Sequence, residues 1–382
     1  MRKGLVAAAL VVLAAAVVVS AAVARPTAVA ASQQADCTSV SLGFLGPLTG
    51  PAAFIGNEQL SWLRFAVQKY NAQRNTQFEV ALGDTELKAP VARRVARRFV
   101  GDRDIMAVIG GSESQAVRVS GNLFEAAKLA SISGSATAVD LTKQRPYGTF
   151  FRTVPNDSIQ GPTVVNYVSR NLKADNVVVI DSQDDYSVPL AKAVAGKLRA
   201  RGVDVSRESV SADDTDFSSV VANVGGNVDV VVFATQVATA ANTLSNQLRE
   251  QGKRAVVFGT DGAYSPSQYK PRTGYVSAFA PDLHSVRAAR GLVREYNRFS
   301  KNAVFGTFGP PTYMAGWVAM DAIRKACARG GATRAEVTRN VRSTNIPSVL
   351  GGRTRFDKKG DLFGGGTFTV FKITSGKYAV AT

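Results

Sequence analysis

The chain has 382 residues, 45% of them hydrophobic, and its 46 basic and 29 acidic residues give a formal charge of +17. That length exceeds what one compact core accommodates, so two domains are expected. One histidine and two cysteines leave no basis for a His-based triad or a metal site, and no run interleaves basic residues with stacking aromatics as nucleic-acid binding requires.

The N-terminus reads as an export signal. Met1, Arg2, Lys3 and Gly4 precede an apolar stretch from Leu5 to about Val23, and Ala22-Val23-Ala24 and Ala28-Val29-Ala30 both offer small-residue cleavage sites. Residues 1–31 are therefore expected to be a signal peptide, with a retained membrane anchor as the rival reading. Gln34-Ala35-Asp36 before Cys37 lacks the apolar and small residues that lipid attachment needs. The expected location is extracytoplasmic, in the periplasm or cell-wall space. There Cys37 and Cys327 either form a disulfide or remain two thiols.

A buried strand is predicted from Val40 to Phe44. A turn rich in glycine and proline follows, with Gly46, Pro47, Thr49, Gly50, Pro51 and Gly56. Next comes a helix marked by Leu60, Leu63, Ala66, Val67 and Tyr70. Such a strand-loop-helix unit is where an α/β sheet places a small ligand. Gln77–Leu82 reads as a strand and Ala89–Val100 as a helix. On that helix Arg93, Arg94, Arg97 and Arg98 lie opposite Val91, Val95, Phe99 and Val100. The arginines read as a solvated face, or as attraction to an anionic wall or membrane surface.

Met106–Ile109 is a short strand ending in Gly110-Gly111-Ser112-Glu113-Ser114. A helix to about Lys128 leads to the strand Ala130–Ser133 and the loop Gly134-Ser135-Ala136-Thr137. An extended segment from Phe150 to Pro155 follows. A second alternation then begins. Its helices lie near 160–171, 188–201 and 217–223 and reach a last one ending at Gln251. Its strands are Val177–Asp181, Val205–Val210, Val228–Phe233 and Ala255–Gly259. Short apolar strands alternating with helices predict parallel sheets covered on both faces. Gly274–Ala280 reads as a strand, 287–299 and 311–328 as helices, and 367–373 with 378–380 as a closing hairpin.

The fold class is thus α/β, with two Rossmann-like lobes and a cleft between them. Residues 37–155 and 282–355 are expected to form lobe 1, and 156–281 and 356–382 lobe 2. Three crossing segments then make a hinge.

Ser112 and Ser114 lie between a strand and a helix, as do Ser135 and Thr137. Their hydroxyls and amides suit either a carboxylate or helix capping. Asp157, Tyr186 and Asp261 follow the crossing segment or strand ends on the other lobe, where an acid can meet an ammonium group. The blocks GPLTGPAAFIGNEQ, AVIGGSESQAV, SISGSAT, FFRTVPNDSIQGP, VVVIDSQDDYSVPLA, VVFGTDGA and RTRFDKKGD occur in this order. Together they resemble the extracytoplasmic solute-binding proteins of the leucine/isoleucine/valine-binding family, which serve ABC importers, and the resemblance covers nearly all of the chain after Cys37.

The resemblance implies that Ser114 and Thr137 hold an amino-acid carboxylate, that Asp157 is a cleft acid of the second lobe, and that Tyr186 is the family's tyrosine after Asp-Asp. Asp261 stands where a glutamate usually receives the ammonium. Ser112, Ser135 and Ala136 belong to the same loops. Departures bear on the ligand. Asp261 is one methylene short, Gln236 replaces a common aromatic, Ile55 occupies the side-chain slot of the first turn, and Glu113 is acidic inside a loop that should receive a carboxylate.

The implied function is a substrate-binding protein for a small polar or amphipathic solute, an amino acid or related amide, delivered to a membrane permease. No enzyme activity, cofactor, metal or nucleic acid is implied. A ligand-binding sensory module for a membrane receptor is the alternative.

Overall fold

The computed structural model describes Met1, Cys37 and residues 40–381, without 144, 145 and 329. The predicted signal peptide, beyond Met1, lies outside the described residues. The chain divides into two units, Met1–Gln33 and Gln34–Thr382, and the fold below is that of the second.

The first sheet is built from β1 (Ser41–Gly46), β2 (Glu79–Asp84), β3 (Ile105–Gly110), β4 (Ala130–Ser133) and β5 (Phe150–Arg152). The helices α1 (Ala53–Arg74), α2 (Ala89–Gly101), α3 (Ser114–Ala126) and the one-turn α4 (Asp140–Lys143) intervene. All pairs are parallel, in the order β2-β1-β3-β4-β5. Every residue of β3 is buried, as a strand covered on both faces must be. The segment from Phe150 opens as a fifth strand before it leaves the sheet.

The second series is α5 (Asp157–Asn166), β6 (Asn176–Asp181), α6 (Ser187–Arg199), β7 (Asp204–Ser209), α7 (Ser218–Asn223), β8 (Val230–Ala234), α8 (Ala238–Glu250), β9 (Val256–Gly259) and β10 (Thr273–Ala278). The chain then forms α9 (Arg290–Phe299), α10 (Gly309–Cys327), α11 (Arg334–Arg342), the small ribbon β11 (Asn345–Pro347) and β12 (Arg353–Arg355), and the hairpin β13 (Thr369–Thr374) and β14 (Lys377–Val380). The second sheet runs β14-β13-β10-β9-β8-β6-β7. Its five parallel strands repeat the order of the first sheet, and the terminal hairpin adds to one edge antiparallel.

In each sheet the strand order reverses once, between β1 and β3 and between β6 and β8. The crevice beyond the carboxyl ends of such strands is where open α/β sheets bind ligands. The loops leaving β1, β3, β6 and β8 are therefore the ones to inspect.

The largest core joins α1, α9, α10 and α11 to β1, β3 and β4 around Trp62, Leu63, Tyr296, Tyr313 and Ile323, so the chain returns to the first sheet after β10. Trp62 stacks on Tyr296 with centroids 3.9 Å apart and donates Nε1–H to the Val304 carbonyl at 2.9 Å. Each fully buried large apolar side chain stabilises by about 1.5–3 kcal/mol. Two further clusters flank the second sheet. A smaller one gathers Val154, Phe279 and Phe368, one from each passage of the chain between the sheets, with Ala52, Ile55 and Phe308.

Three features were not anticipated from sequence: α4, α11 and the β11–β12 ribbon. Thr333 and Glu336 form a reciprocal capping box at the start of α11, a T-x-x-E signature readable in the sequence. The structure joins Cys37 to Cys327 by a disulfide with Cα atoms 5.9 Å apart.

Candidate ligand-binding site

The first turn gives two of its amides to Asp84 rather than to a ligand. Leu48 N–H donates to Asp84 Oδ1 at 2.8 Å, Thr49 N–H does so at 3.2 Å, and the Thr49 hydroxyl donates to Oδ2 at 2.6 Å. The acid ending β2 thus pins the loop ending β1. Ile55, one turn into α1, is buried in the apolar cluster at the chain crossings. Four residues on, Gln59 reaches the next loop, where its Nε2 donates to Ser135 Oγ at 2.9 Å.

Beyond β3 the chain turns sharply. Gly110 has φ +123°, and a Cβ there would lie 2.1 Å from the Leu45 carbonyl oxygen, so only glycine fits. Ser112 Oγ donates to that same carbonyl at 3.2 Å. Ser114 opens α3, and its hydroxyl accepts from Ala138 N–H at 3.3 Å. Glu113 between them turns toward Thr85, whose hydroxyl donates to Oε1. Burial raises its pKa to about 7, against the lowering effect of Thr85. Its acidity is directed at the end of β2.

The loop after β4 is held by serines. Ser133 Oγ accepts from Ala136 N–H at 2.9 Å, and Ser135 Oγ donates to the Ser112 carbonyl at 2.6 Å. Arg152, fully buried at the end of β5, donates Nη1–H to the carbonyls of Ala136 (3.0 Å) and Ala138 (2.9 Å). Its Nε–H donates to Asp361 Oδ1 at 2.6 Å, which ties this loop to the last chain crossing.

On the second lobe Asp157 begins α5, and Gln160 lies one turn later on the same side. Asp157 N–H donates to the Thr137 carbonyl at 2.9 Å, a direct link between the loops of the two lobes. Gln160 Nε2 donates to Asp261 Oδ1 at 2.5 Å and to Ser277 Oγ at 2.9 Å. The Tyr186 hydroxyl lies 2.7 Å from both Asp261 Oδ1 and Thr260 Oγ1. Gln236, after β8, accepts from Gln115 Nε2 of α3 at 2.9 Å, again across the lobes. At the rim Arg118 of α3 pairs with Asp140 at 2.8 Å and with Asp185 at 3.1 Å, and Asp185 belongs to the loop after β6.

The structure therefore brings Ser112, Ser114, Ser135, Ala136, Thr137, Asp157, Tyr186, Gln236 and Asp261 onto one connected set of loops, while Ile55 stands in the crossing cluster. Gln59, Gln115, Gln160 and Arg118 were missed. Gln115 and Gln160 lie inside the motif blocks, but no residue-type signal separates a site glutamine from a surface one.

Several buried atoms here have no partner: Gln59 Oε1, Gln115 Oε1, Gln160 Oε1, Thr137 Oγ1 and both carboxylate oxygens of Asp157. Native interiors rarely leave such atoms unpaired, so their concentration marks a place where a ligand's polar groups complete the bonding. Burial and the nearby Asp261 charge raise the Asp157 pKa to about 8, although Thr137 and Arg152 pull it down. Asp261, supported by Tyr186 and Gln160, rises only to about 6. Burial and the two acids push the Tyr186 phenol up, so it remains a hydrogen-bond donor. Among the described residues no cluster of His, Cys, Asp and Glu is placed to hold a metal ion, and no helix is long and apolar enough to cross a membrane.

A family model described as periplasmic binding protein matches residues 39–377. The chain belongs to that family. The leucine-specific-binding protein of Salmonella typhimurium and the Leu/Ile/Val-binding protein of Escherichia coli are each 25% identical over 346 residues. That stretch is 88% of this chain and 92% of each relative. An amino acid binding protein of Pseudomonas aeruginosa is 26% identical over 85% of this chain and 87% of its own length.

Solved structures share the fold. The leucine binding protein LivK of Thermotoga maritima superposes with a TM-score of 0.79 at 21% identity, over 90% of this chain and 98% of that one. LivJ of Streptococcus pneumoniae, in complex with isoleucine, gives 0.77 at 24% identity over 90% and 99%. A solute binding protein of R. palustris in complex with benzoate gives 0.78 at 16% identity over 90% and 95%. The family is one of substrate-binding proteins with two α/β lobes.

Proposed function

We propose that this chain is the extracytoplasmic substrate-binding protein of an ABC importer. It captures a small amino acid or related amide between lobes 37–155 with 282–355 and 156–281 with 356–382, and delivers it to a membrane permease. Residues 1–31 serve as its signal peptide. Curated relatives of similar length named for leucine, isoleucine and valine binding support the class of ligand. The benzoate complex of a protein with the same fold shows that this architecture also accommodates ligands without an ammonium group.

The observation that carries the reading is the side chain of Asp157, buried at the junction of the lobes with only the Thr137 hydroxyl beside it. Asp261 already receives Tyr186 and Gln160 on Oδ1, so Asp157 is the better receptor for a ligand's positive end. Ser114 and Thr137 offer hydroxyls on the facing lobe for a carboxylate. Contacts from both lobes stabilise the closed state when ligand binds.

The test is mass spectrometry of ligand retained through native purification, followed by thermal shift of the stripped protein with amino acids and short amides. A retained solute that raises Tm and is lost in Asp157→Asn supports the assignment. No retained solute and no shift with any compound overturns it.

A further inference from the structure

The unpartnered atoms in the cleft are almost all acceptors. Gln59 Oε1, Gln115 Oε1, Gln160 Oε1 and, once Asp157 is ionised, its two oxygens make five, with the Thr137 hydroxyl beside Asp157 as the one donor. Each of the parent residues is more than nine-tenths buried.

Two of the glutamine orientations are dictated by their neighbours. Ser135 spends its only proton on the Ser112 carbonyl, so it must accept from Gln59, and the Gln59 nitrogen has to face it. Asp261 already accepts from Tyr186, so the atom of Gln160 beside it is likewise the nitrogen. In both residues the carbonyl oxygen is the atom left over. Asp157 and Gln160 lie three residues apart in the first turn of α5 and so on one side of it, and the Asp157 amide bonds the Thr137 carbonyl, two residues beyond Ser135, the partner of Gln59.

A primary ammonium brings three N–H donors, fewer than the acceptors waiting for them. A guanidinium brings five in a planar fork whose edge matches a carboxylate, and it is more weakly hydrated than an ammonium, so burying it costs less. A cation placed between Asp157 and Asp261 favours the charged form of both, releasing the proton that Asp157 holds in the empty site, and a neutral urea or amide of similar shape gains nothing comparable.

We propose that the buried end of the ligand is a guanidinium group, received by the Asp157 carboxylate and the carbonyl oxygens of Gln59 and Gln160. This deepens, and rests on, the solute-binding reading above. It names the substrate class as guanidino compounds and makes Gln59 and Gln160 specificity-determining residues. A branched-chain side chain at the same place would leave these acceptors buried and unpaired.

Isothermal titration of the stripped protein with arginine, agmatine, lysine, leucine and urea tests the inference. Arginine or agmatine is expected to bind at least tenfold more tightly than lysine, leucine or urea. Gln59→Leu, whose thermal unfolding verifies that it folds, is expected to lose about tenfold in guanidino binding. Lysine or urea binding as tightly as agmatine, leucine binding best, or an unchanged guanidino affinity in Gln59→Leu overturns the inference and leaves the solute-binding reading standing. No binding by this panel or by any other amino acid or amide overturns both.

Discussion

At the residue scale the site is set by which polar atoms find partners inside the protein. Ser112, Ser133 and Ser135 use their hydroxyls on backbone groups of neighbouring loops, so they shape the site. The Asp157 side chain has only the Thr137 hydroxyl beside it, and the proton it holds in the empty site gives way to a ligand's positive end. Its raised pKa has a consequence for stability. Glu58, buried on α1 where it accepts from Gly309 N–H at 2.7 Å, and Asp157, both near 8, Glu113 near 7 and Asp261 near 6 hold protons in the folded state that the unfolded chain releases at about 4.

Where the folded state binds more protons, stability falls as pH rises, here from about pH 4 to about pH 8. The groups acting on Asp157 are Asp261 and Asp140, which raise its pKa, and Arg152 and Thr137, which lower it. Ligand-free protein is expected to lose Tm between pH 5 and pH 8, and Asp157→Asn to lose distinctly less. Equal losses in the two proteins would show that Asp157 is not the buried acid responsible.

At the element scale two ion pairs have different tasks. Arg152 at the end of β5 is fully buried and spans Ala136, Ala138, Thr142 and Asp361, so it joins the ligand-facing loop to the last crossing. Removing one partner of a buried pair leaves the other charge uncompensated, at a cost of about 3–5 kcal/mol. Asp361→Ala should therefore lower stability by an amount near the bottom of that range, since Asp361 is partly exposed, read as the urea midpoint. A shift under about 1 kcal/mol, the size of a surface pair, would remove this assignment.

Arg118 instead lies at the rim, a quarter exposed, between Asp140 of its own lobe and Asp185 of the other. Exposed pairs stabilise by about 0–1 kcal/mol, so Arg118→Ala should leave Tm of the empty protein nearly unchanged. It should speed ligand release by up to about fivefold, because the pair with Asp185 bridges the two lobes. Stopped-flow displacement measures this, and an unaltered release rate would mean that the pair does not help hold the lobes shut.

At the scale of the whole molecule the Cys37–Cys327 bridge closes a loop of sequence separation 290. It ties the approach to β1 to the end of α10, and both belong to the core of the first sheet. The chain-entropy account gives on the order of 5 kcal/mol as an upper value for so long a loop. Reduction, or Cys37→Ser with Cys327→Ser, is expected to lower Tm by several degrees with ligand affinity retained, because the bridge lies away from the facing loops. Loss of ligand affinity without a fall in Tm would contradict that separation.

What could be read from the sequence was whatever repeats locally. Apolar runs of four to six residues between amphipathic helices specify parallel α/β layers, because strands buried on both faces leave no polar alternation. The ordered motif blocks located the loops carrying Ser114, Thr137, Asp157, Tyr186 and Asp261. The short helix α11 escaped although Thr333 and Glu336 announced its start, since few apolar residues mark its face. Gln59 and Gln160 escaped for a deeper reason. A glutamine gains a role only when its amide is claimed by Ser135 or Asp261, and those partners lie 76 and 101 residues away. The sequence by itself determined the two-lobed layers and the class of protein, because these follow from local periodicity and ordered motifs. Only the tertiary structure decided that Glu113 turns away, that Asp84 takes the Leu48 and Thr49 amides, and that Asp157 keeps only the Thr137 hydroxyl beside it, because hydrogen-bond satisfaction depends on which distant atoms meet.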